Sequence, residues 1–226
     1  MSAPEATREL YGYWRSSAAY RVRIALNLKG LAYETVPVHL INNGGEQHAP
    51  AYRALNPQEL VPTLVDHGQT IRQSLAIIEY LDEAYADAAP LLPREPLARA
   101  RVRGLALAVA CDTHPLNNTR VLGYLERELH VAQDVRERWI RHWVALGLGA
   151  IEELLAGDAA TGRYCHGDQP TQADVLLIPQ LYVARRFALD LAPYPNLRRV
   201  EEACLSLDAF EKARPENQPD APEKQG

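Results

Sequence analysis

The spacing of hydrophobic and polar positions changes near residue 90, and that change divides the chain in two. Before it, short runs rich in β-branched and aromatic residues alternate with helical ones. Residues 10–14 (LYGYW) and 33–40 (YETVPVHL) read as strands. Residues 63–65 and 70–72 flank the turn sequence Asp66-His67-Gly68 and predict a small hairpin. Between the first two strands, Ala18, Val22, Ala25 and Leu26 stand at i, i+4, i+7 and i+8, which is one face of a helix. A helix is therefore predicted over 17–29, with Ser16 or Ser17 to cap its start and Gly30 to end it. Another is predicted over 74–85, after the hairpin.

The order β-α-β, loop, β-β-α is that of a thioredoxin-like α/β sandwich. Pro90, Pro93 and Pro96 then mark a linker, because proline cannot continue a helix interior. Beyond it the strand signals stop, and helical periodicity covers 97–111, 120–129, 135–155 and 172–189. The predicted architecture is an α/β thioredoxin-like N-terminal domain over 8–88 plus an all-α C-terminal domain over 97–214. The tail after Ala213, rich in Pro, Gln, Asp and Glu, is expected to be poorly ordered. There is no internal repeat.

Composition narrows the function classes. The 226 residues are 47% hydrophobic and 23% charged, with a net charge of −5, as in an ordinary globular protein. No basic block is present, which argues against nucleic acid as a partner. No apolar run reaches the ~20 residues that a membrane-spanning helix needs. The start, Met1-Ser2-Ala3-Pro4-Glu5, lacks the basic region and apolar core of a secretory leader. Cys111, Cys165 and Cys204 are far apart and odd in number, so they suggest neither a disulfide framework nor a metal site. A reducing cytoplasm fits these features.

Five clusters carry candidate chemistry. Arg15-Ser16-Ser17 lies where a strand gives way to a helix, and a helix start offers free N–H groups and a positive dipole end to an anion. A hydroxyl there can donate to a thiolate and lower a bound thiol's pKa, or it can simply cap the helix. Leu60-Val61-Pro62-Thr63-Leu64 places a proline just before a strand, either trans in a loop or cis in a tight turn that exposes the Val61 backbone for strand-like pairing. Gln73-Ser74 opens a second helix. His114-Pro115, within the run from Cys111 to Arg120, breaks a helical region and could aim a histidine at a thiol, although a solvated or core histidine is the plainer reading. Arg15, Arg120, Arg185 and Arg186 could bind carboxylates, although most arginines are merely solvated. Thr171-Gln172-Ala173-Asp174 is a capping box, a folding signal, and Cys165 and Cys204 read as structural thiols.

Two helix starts and a strand edge match the parts of glutathione: a thiol, a central pair of amide groups and a γ-glutamyl carboxylate. The run Tyr13-Trp14-Arg15-Ser16-Ser17, followed by Tyr20-Arg21-Val22-Arg23-Ile24-Ala25-Leu26, resembles the zeta class of glutathione transferases. So do Ala54-Leu55-Asn56-Pro57, Val61-Pro62-Thr63-Leu64 and the run from Gln73 to Leu81 (QSLAIIEYL). The resemblance spans residues 10–218 or so. It implies a glutathione-dependent cis-trans isomerase, typically a homodimer, that converts a maleyl keto acid (maleylacetoacetate or maleylpyruvate) to its fumaryl isomer in the catabolism of aromatic compounds. It also implies roles by position. Ser16 faces the glutathione sulfur and Ser17 supports the same helix start. Val61 pairs with the cysteinyl backbone, Gln73 and Ser74 hold the γ-glutamyl group, Gln47 lies near the glycyl end and His114 contacts glutathione. Arg15 and Arg186 bind the substrate's carboxylates, and no metal is involved; Arg120, from the arginine cluster itself, is a further candidate for carboxylate binding. The motif departs from the class at one place: Ala18 stands where a cysteine often follows the two serines. That removes the thiol needed for reductive dehalogenation and leaves isomerisation untouched. The alternatives are a general transferase that conjugates electrophiles and a non-catalytic ligand-binding protein.

Overall fold

A computed structural model describes residues 8–222. The Met1–Glu5 start read above, and the last residues of the tail, lie outside the described residues. Packing divides the chain into one unit of Met1–Ala89 with Leu207–Gly226, and a second of Pro90–Ser206.

The first unit is built on a four-stranded sheet, ordered β2-β1-β3-β4. Strand β1 (Glu9–Gly12) pairs in parallel with β2 (Glu34–Pro37) and antiparallel with β3 (Thr63–Asp66), which pairs antiparallel with β4 (Gln69–Arg72). Leu10 and Leu64 lie opposite each other in register and are fully buried. The β3–β4 turn is His67-Gly68, both at positive φ, which suits a two-residue hairpin. Helix α1 (Ser17–Leu28) follows β1, and helix α3 (Ser74–Ala84) follows β4. Every residue of α1 from Ala19 to Leu26 is buried, because α3 and a C-terminal helix both pack on it.

This unit differs from expectation in two places. A short helix, α2 (Pro50–Leu55), occupies what reads as loop. Its six residues are too few to show a period, and only Tyr52 among them is buried. The tail is also ordered through residue 222. Helix α9 (Asp208–Ala213) packs on α1 through buried Phe210 and Ala213, and Pro215 and Gln218 are buried beyond it. The tail's polar composition concealed this, because few of its described residues, Pro215 and Gln218, are buried. The segment from Leu207 therefore belongs with the sheet unit, whereas the sequence-based boundary ran the helical domain to 214.

The second unit is all helical among the described residues. It comprises α4 (Pro96–Leu107), α5 (Thr119–Arg127), α6 (Gln133–Ala156), α7 (Gln172–Arg186) and α8 (Pro195–Leu205). The helix predicted over 97–111 keeps α geometry only to Leu107, then widens into a π-helical turn, Ala108–Thr113, and a 3-10 turn, His114–Asn117. Pro115 accounts for the change: it has no N–H to donate, and its ring would collide with the carbonyl one turn back. Helix α7 opens with the capping box foreseen from the sequence. Thr171 N donates to Asp174 Oδ2 at 2.7 Å, and Cys165 N donates to Asp174 Oδ1 at 2.8 Å.

Candidate functional site

Register places most of the predicted groups of the first unit together. Gly12, the last residue of β1, pairs with Pro37 at the end of β2. Tyr11 pairs with Thr63 at the start of β3, and Thr63 pairs with Arg72 at the end of β4. The connections carrying Ser16, Val61 and Gln73-Ser74 therefore leave the sheet at one common edge. The loop after β2, which contains Gln47, leaves from that edge too.

At this edge Ser16 is the N-cap of α1, with extended backbone (φ −68, ψ 119). Its Oγ accepts from Ala19 N at 3.2 Å. The capping and functional readings are thus compatible, because a hydroxyl that accepts through a lone pair keeps its proton to donate. Ser17 and Ala18 follow in the first turn, half-buried. Arg15 lies just before the cap, with its guanidinium over the Trp14 ring at 5.3 Å. Gly12 lets the strand end approach the helix closely, since a Cβ there would stand 3.2 Å from Ala19 Cβ.

Of the two geometries open for Val61-Pro62, the structure has the cis one. The turn before it is anchored at Leu60, whose carbonyl accepts from Tyr52 Oη at 2.7 Å and from Asn56 Nδ2 at 2.8 Å. Both side chains also bond Thr63 Oγ1, at 3.0 and 3.2 Å. Gln73 sits at φ 70 between β4 and α3, and its amide donates to Gln58 Oε1 at 2.8 Å. Ser74 is buried at the start of α3, where its Oγ accepts from Arg21 Nη1 at 3.3 Å. Arg21 is only 2% exposed and was not singled out from the sequence. The available signal was a pair of arginines, Arg21 and Arg23, within the buried stretch of α1, where a charge is costly unless it is paired. Arg21 brings a fixed cation to a helix start already favourable to a carboxylate.

Gln47 lies in a short 3-10 turn and is buried; its Oε1 has no hydrogen-bond partner among the described residues. Gly45 at φ 104 makes room for that amide, since a Cβ there would stand 2.5 Å from Gln47 Nε2. A buried acceptor at this loop, a hydroxyl proton at α1 and a cation-backed start at α3 fit the polar groups of a thiol tripeptide.

The second unit holds the remaining candidates. His114 is half-buried at the head of the 3-10 turn. The backbone around it is fixed: Thr113 Oγ1 donates to Ala108 O at 2.8 Å, Asn117 Nδ2 to Thr113 O at 3.1 Å, and Trp139 Nε1 to Leu116 O at 2.7 Å. Arg120 is exposed in the first turn of α5, where Asn118 Oδ1 accepts from its backbone N at 2.9 Å. A cation there opposes the helix dipole, so helix stability does not explain it. Arg186 is exposed in the last turn of α7, with its guanidinium 5.0 Å from the Phe187 ring centroid. Arg185 is committed elsewhere: its Nε and Nη2 both donate to the Glu201 carboxylate, the first at 2.9 Å. Cys165 and Cys204 are buried, and burial pushes both thiols up, away from reactivity. Cys111 is exposed.

Comparison with known proteins bears on this arrangement. Residues 10–90 match the family model "Glutathione S-transferase, N-terminal domain", and residues 133–203 match "Glutathione S-transferase, C-terminal domain". The chain belongs to the glutathione S-transferase family. Within that family it is 53% identical, over 95% of its length and 99% of the relative's, to the maleylacetoacetate isomerase of Pseudomonas aeruginosa. Among solved structures it resembles a holo maleylpyruvate isomerase, described as a bacterial zeta-class glutathione S-transferase (TM-score 0.91, 48% identity, 95% of this chain and 100% of that one). It resembles equally a maleylacetoacetate isomerase of Methylobacterium extorquens solved with malonate and glutathione bound (TM-score 0.91, 46% identity, 95% and 99%). The glutathione S-transferase architecture and the zeta-class resemblance read from the sequence both hold.

Proposed function

We propose that this protein is a glutathione-dependent cis-trans isomerase that converts a maleyl keto acid, maleylacetoacetate or maleylpyruvate, to its fumaryl isomer. The observation that carries the reading is the common sheet edge from which the Ser16, Val61, Gln73-Ser74 and Gln47 segments all depart. Glutathione, when bound, supplies a thiolate that adds to the conjugated cis double bond and leaves again once that bond has turned.

The chain's own residues have three tasks. The first is to keep the thiol ionised. Ser16 Oγ spends a lone pair on the Ala19 N–H and keeps its proton for the sulfur, and the N-terminal end of α1 favours negative charge. The second is to hold the tripeptide. The Val61 backbone pairs with its central amide groups, Ser74 backed by Arg21 and Gln73 takes the γ-glutamyl end, Gln47 takes the glycyl end and His114 adds a further contact. The third is to neutralise the substrate. Arg15, Arg120 and Arg186 offer guanidinium groups to its carboxylates, and preorganised donors stabilise the oxygen where negative charge develops. A conjugating transferase would share the first two tasks and have no use for the third. As part of the same reading, the enzyme is a cytoplasmic homodimer acting in aromatic catabolism. Its three free cysteines suit a reducing compartment.

A spectrophotometric assay with maleylpyruvate and maleylacetoacetate, with and without glutathione, tests this. Isomerisation of at least one substrate, dependent on added glutathione, is expected. A full rate without glutathione would remove the mechanism.

A further inference from the structure

The C-terminal segment is bonded to the backbone that carries Arg15 and Ser16. Asp220 Oδ2 accepts from Trp14 N at 2.8 Å, across 206 positions of sequence. The Trp14 carbonyl accepts from Arg23 Nη2 at 3.0 Å, and Arg23 Nε donates to Ala213 O, also at 3.0 Å. Both hydrogen-bonding groups of the Trp14 backbone thus lead to the tail, one directly and one through a buried arginine of α1. The tail is itself fastened. Phe210 and Ala213 are fully buried, Asn27 Nδ2 donates to Ala209 O at 2.9 Å, and Gln218 Nε2 donates to the carbonyls of Lys212 and Arg214 at 2.9 and 2.8 Å.

We propose that the segment from Leu207 to Asp220 is a positioning element for the thiol site, with Asp220 and Arg23 fixing Trp14 and, through it, the neighbouring Arg15 and Ser16. Residues 13–15 connect β1 to α1, and their internal restraint is the turn bond from Ser16 N to Tyr13 O at 2.9 Å. A hydroxyl that stabilises a thiolate must be held within about 0.5 Å of its productive place by surrounding bonds. A carboxylate accepting a backbone N–H and a guanidinium donating to the next carbonyl are strong bonds for that purpose. Neither side chain need touch glutathione. The inference rests on the reading of Ser16 as the sulfur-facing hydroxyl.

The test compares Asp220→Ala, Asp220→Asn and Ser16→Ala in the full-length chain. The readouts are hydrogen exchange at the Trp14 amide without ligand, calorimetric affinity for glutathione, and the pKa of the bound thiol from thiolate absorbance. In Asp220→Ala the Trp14 amide should exchange about tenfold faster, glutathione affinity should fall about tenfold and the thiol pKa should rise. Asp220→Asn keeps an acceptor oxygen and should restore all three to within about threefold. Wild-type affinity and thiol pKa in Asp220→Ala, with Ser16→Ala still raising that pKa, would overturn the positioning role and leave the Ser16 reading intact. An unchanged thiol pKa in Ser16→Ala would overturn the reading beneath it. If Asp220→Ala does not fold, Asp220→Asn decides: a native near-ultraviolet spectrum with lost glutathione affinity would contradict the proposal.

Discussion

In the sheet unit the candidate groups are delivered by backbone register, whereas in the helical unit they are side chains at turns and helix ends. The first arrangement leaves little freedom. Once β1, β3 and β4 pair as they do, the starts of α1 and α3 and the Val61 turn must leave from one edge. The second is open to change, because Arg120 and Arg186 are exposed and could be replaced with little effect on packing. On the proposed reading, most of the groups that hold glutathione lie in the part that folding fixes, and Arg120 and Arg186, two of the three arginines offered to the substrate, lie in the part that sequence can vary.

The largest effect should come from the fixed part. Ser16→Ala should lower kcat/KM for isomerisation about a hundredfold, the upper range for a lost hydrogen bond to a charge. Steady-state kinetics at saturating glutathione would check it, and retained activity would transfer the role to Ser17, backbone N–H groups or His114. Next, Arg186→Ala should raise the substrate KM roughly tenfold while leaving glutathione affinity unchanged. Arg15→Ala, which alters the thiol-site loop, should raise the substrate KM and weaken glutathione as well. Unchanged substrate KM in both would reduce these arginines to solvated charges.

A stability effect separates the units further. Gly147 of α6 packs on Thr113, and a Cβ there would come within 2.1 Å of Thr113 Oγ1. Gly147→Ala should cost about 1–3 kcal/mol by overpacking, read as a lower Tm, and should disturb the turn that carries His114. The smallest effect belongs to Ala18→Cys. Isomerase activity should stay within about twofold, and some thiol exchange with oxidised glutathione should appear. Efficient glutathione-dependent dehalogenation by the unmodified chain would show that a second thiol, such as the exposed Cys111, is in use.

Much of this was legible in the sequence, for identifiable reasons. Most strands and helices with strong periodicity were readable to within a few residues, although helix α8 (Pro195–Leu205) was not predicted, and the Asp66-His67-Gly68 hairpin and the Thr171–Asp174 capping box were readable outright because their signals are local. Helix α2 was not, being too short to display a period. Nor was the π-helical turn before His114, where Pro115 reshapes a stretch whose pattern still looks helical. The tail misled because composition counts residues without regard to direction, and Pro215 and Gln218 are buried although most of their neighbours are polar. At the candidate site, the places of Ser16, Val61 and Ser74 at element boundaries were legible in the sequence. Arg21, Tyr52 and Asn56 were not, because their contribution is a bond to a residue distant in sequence or to a turn carbonyl, which spacing does not reveal.

The central claim is that glutathione is regenerated in each cycle, and nuclear magnetic resonance of a reaction with substrate in large excess over glutathione tests it most directly. The account predicts complete conversion of the maleyl compound to its fumaryl isomer, with free glutathione undiminished at the end. Conversion that stops at one equivalent and leaves a stable thioether would contradict it and identify a conjugating transferase.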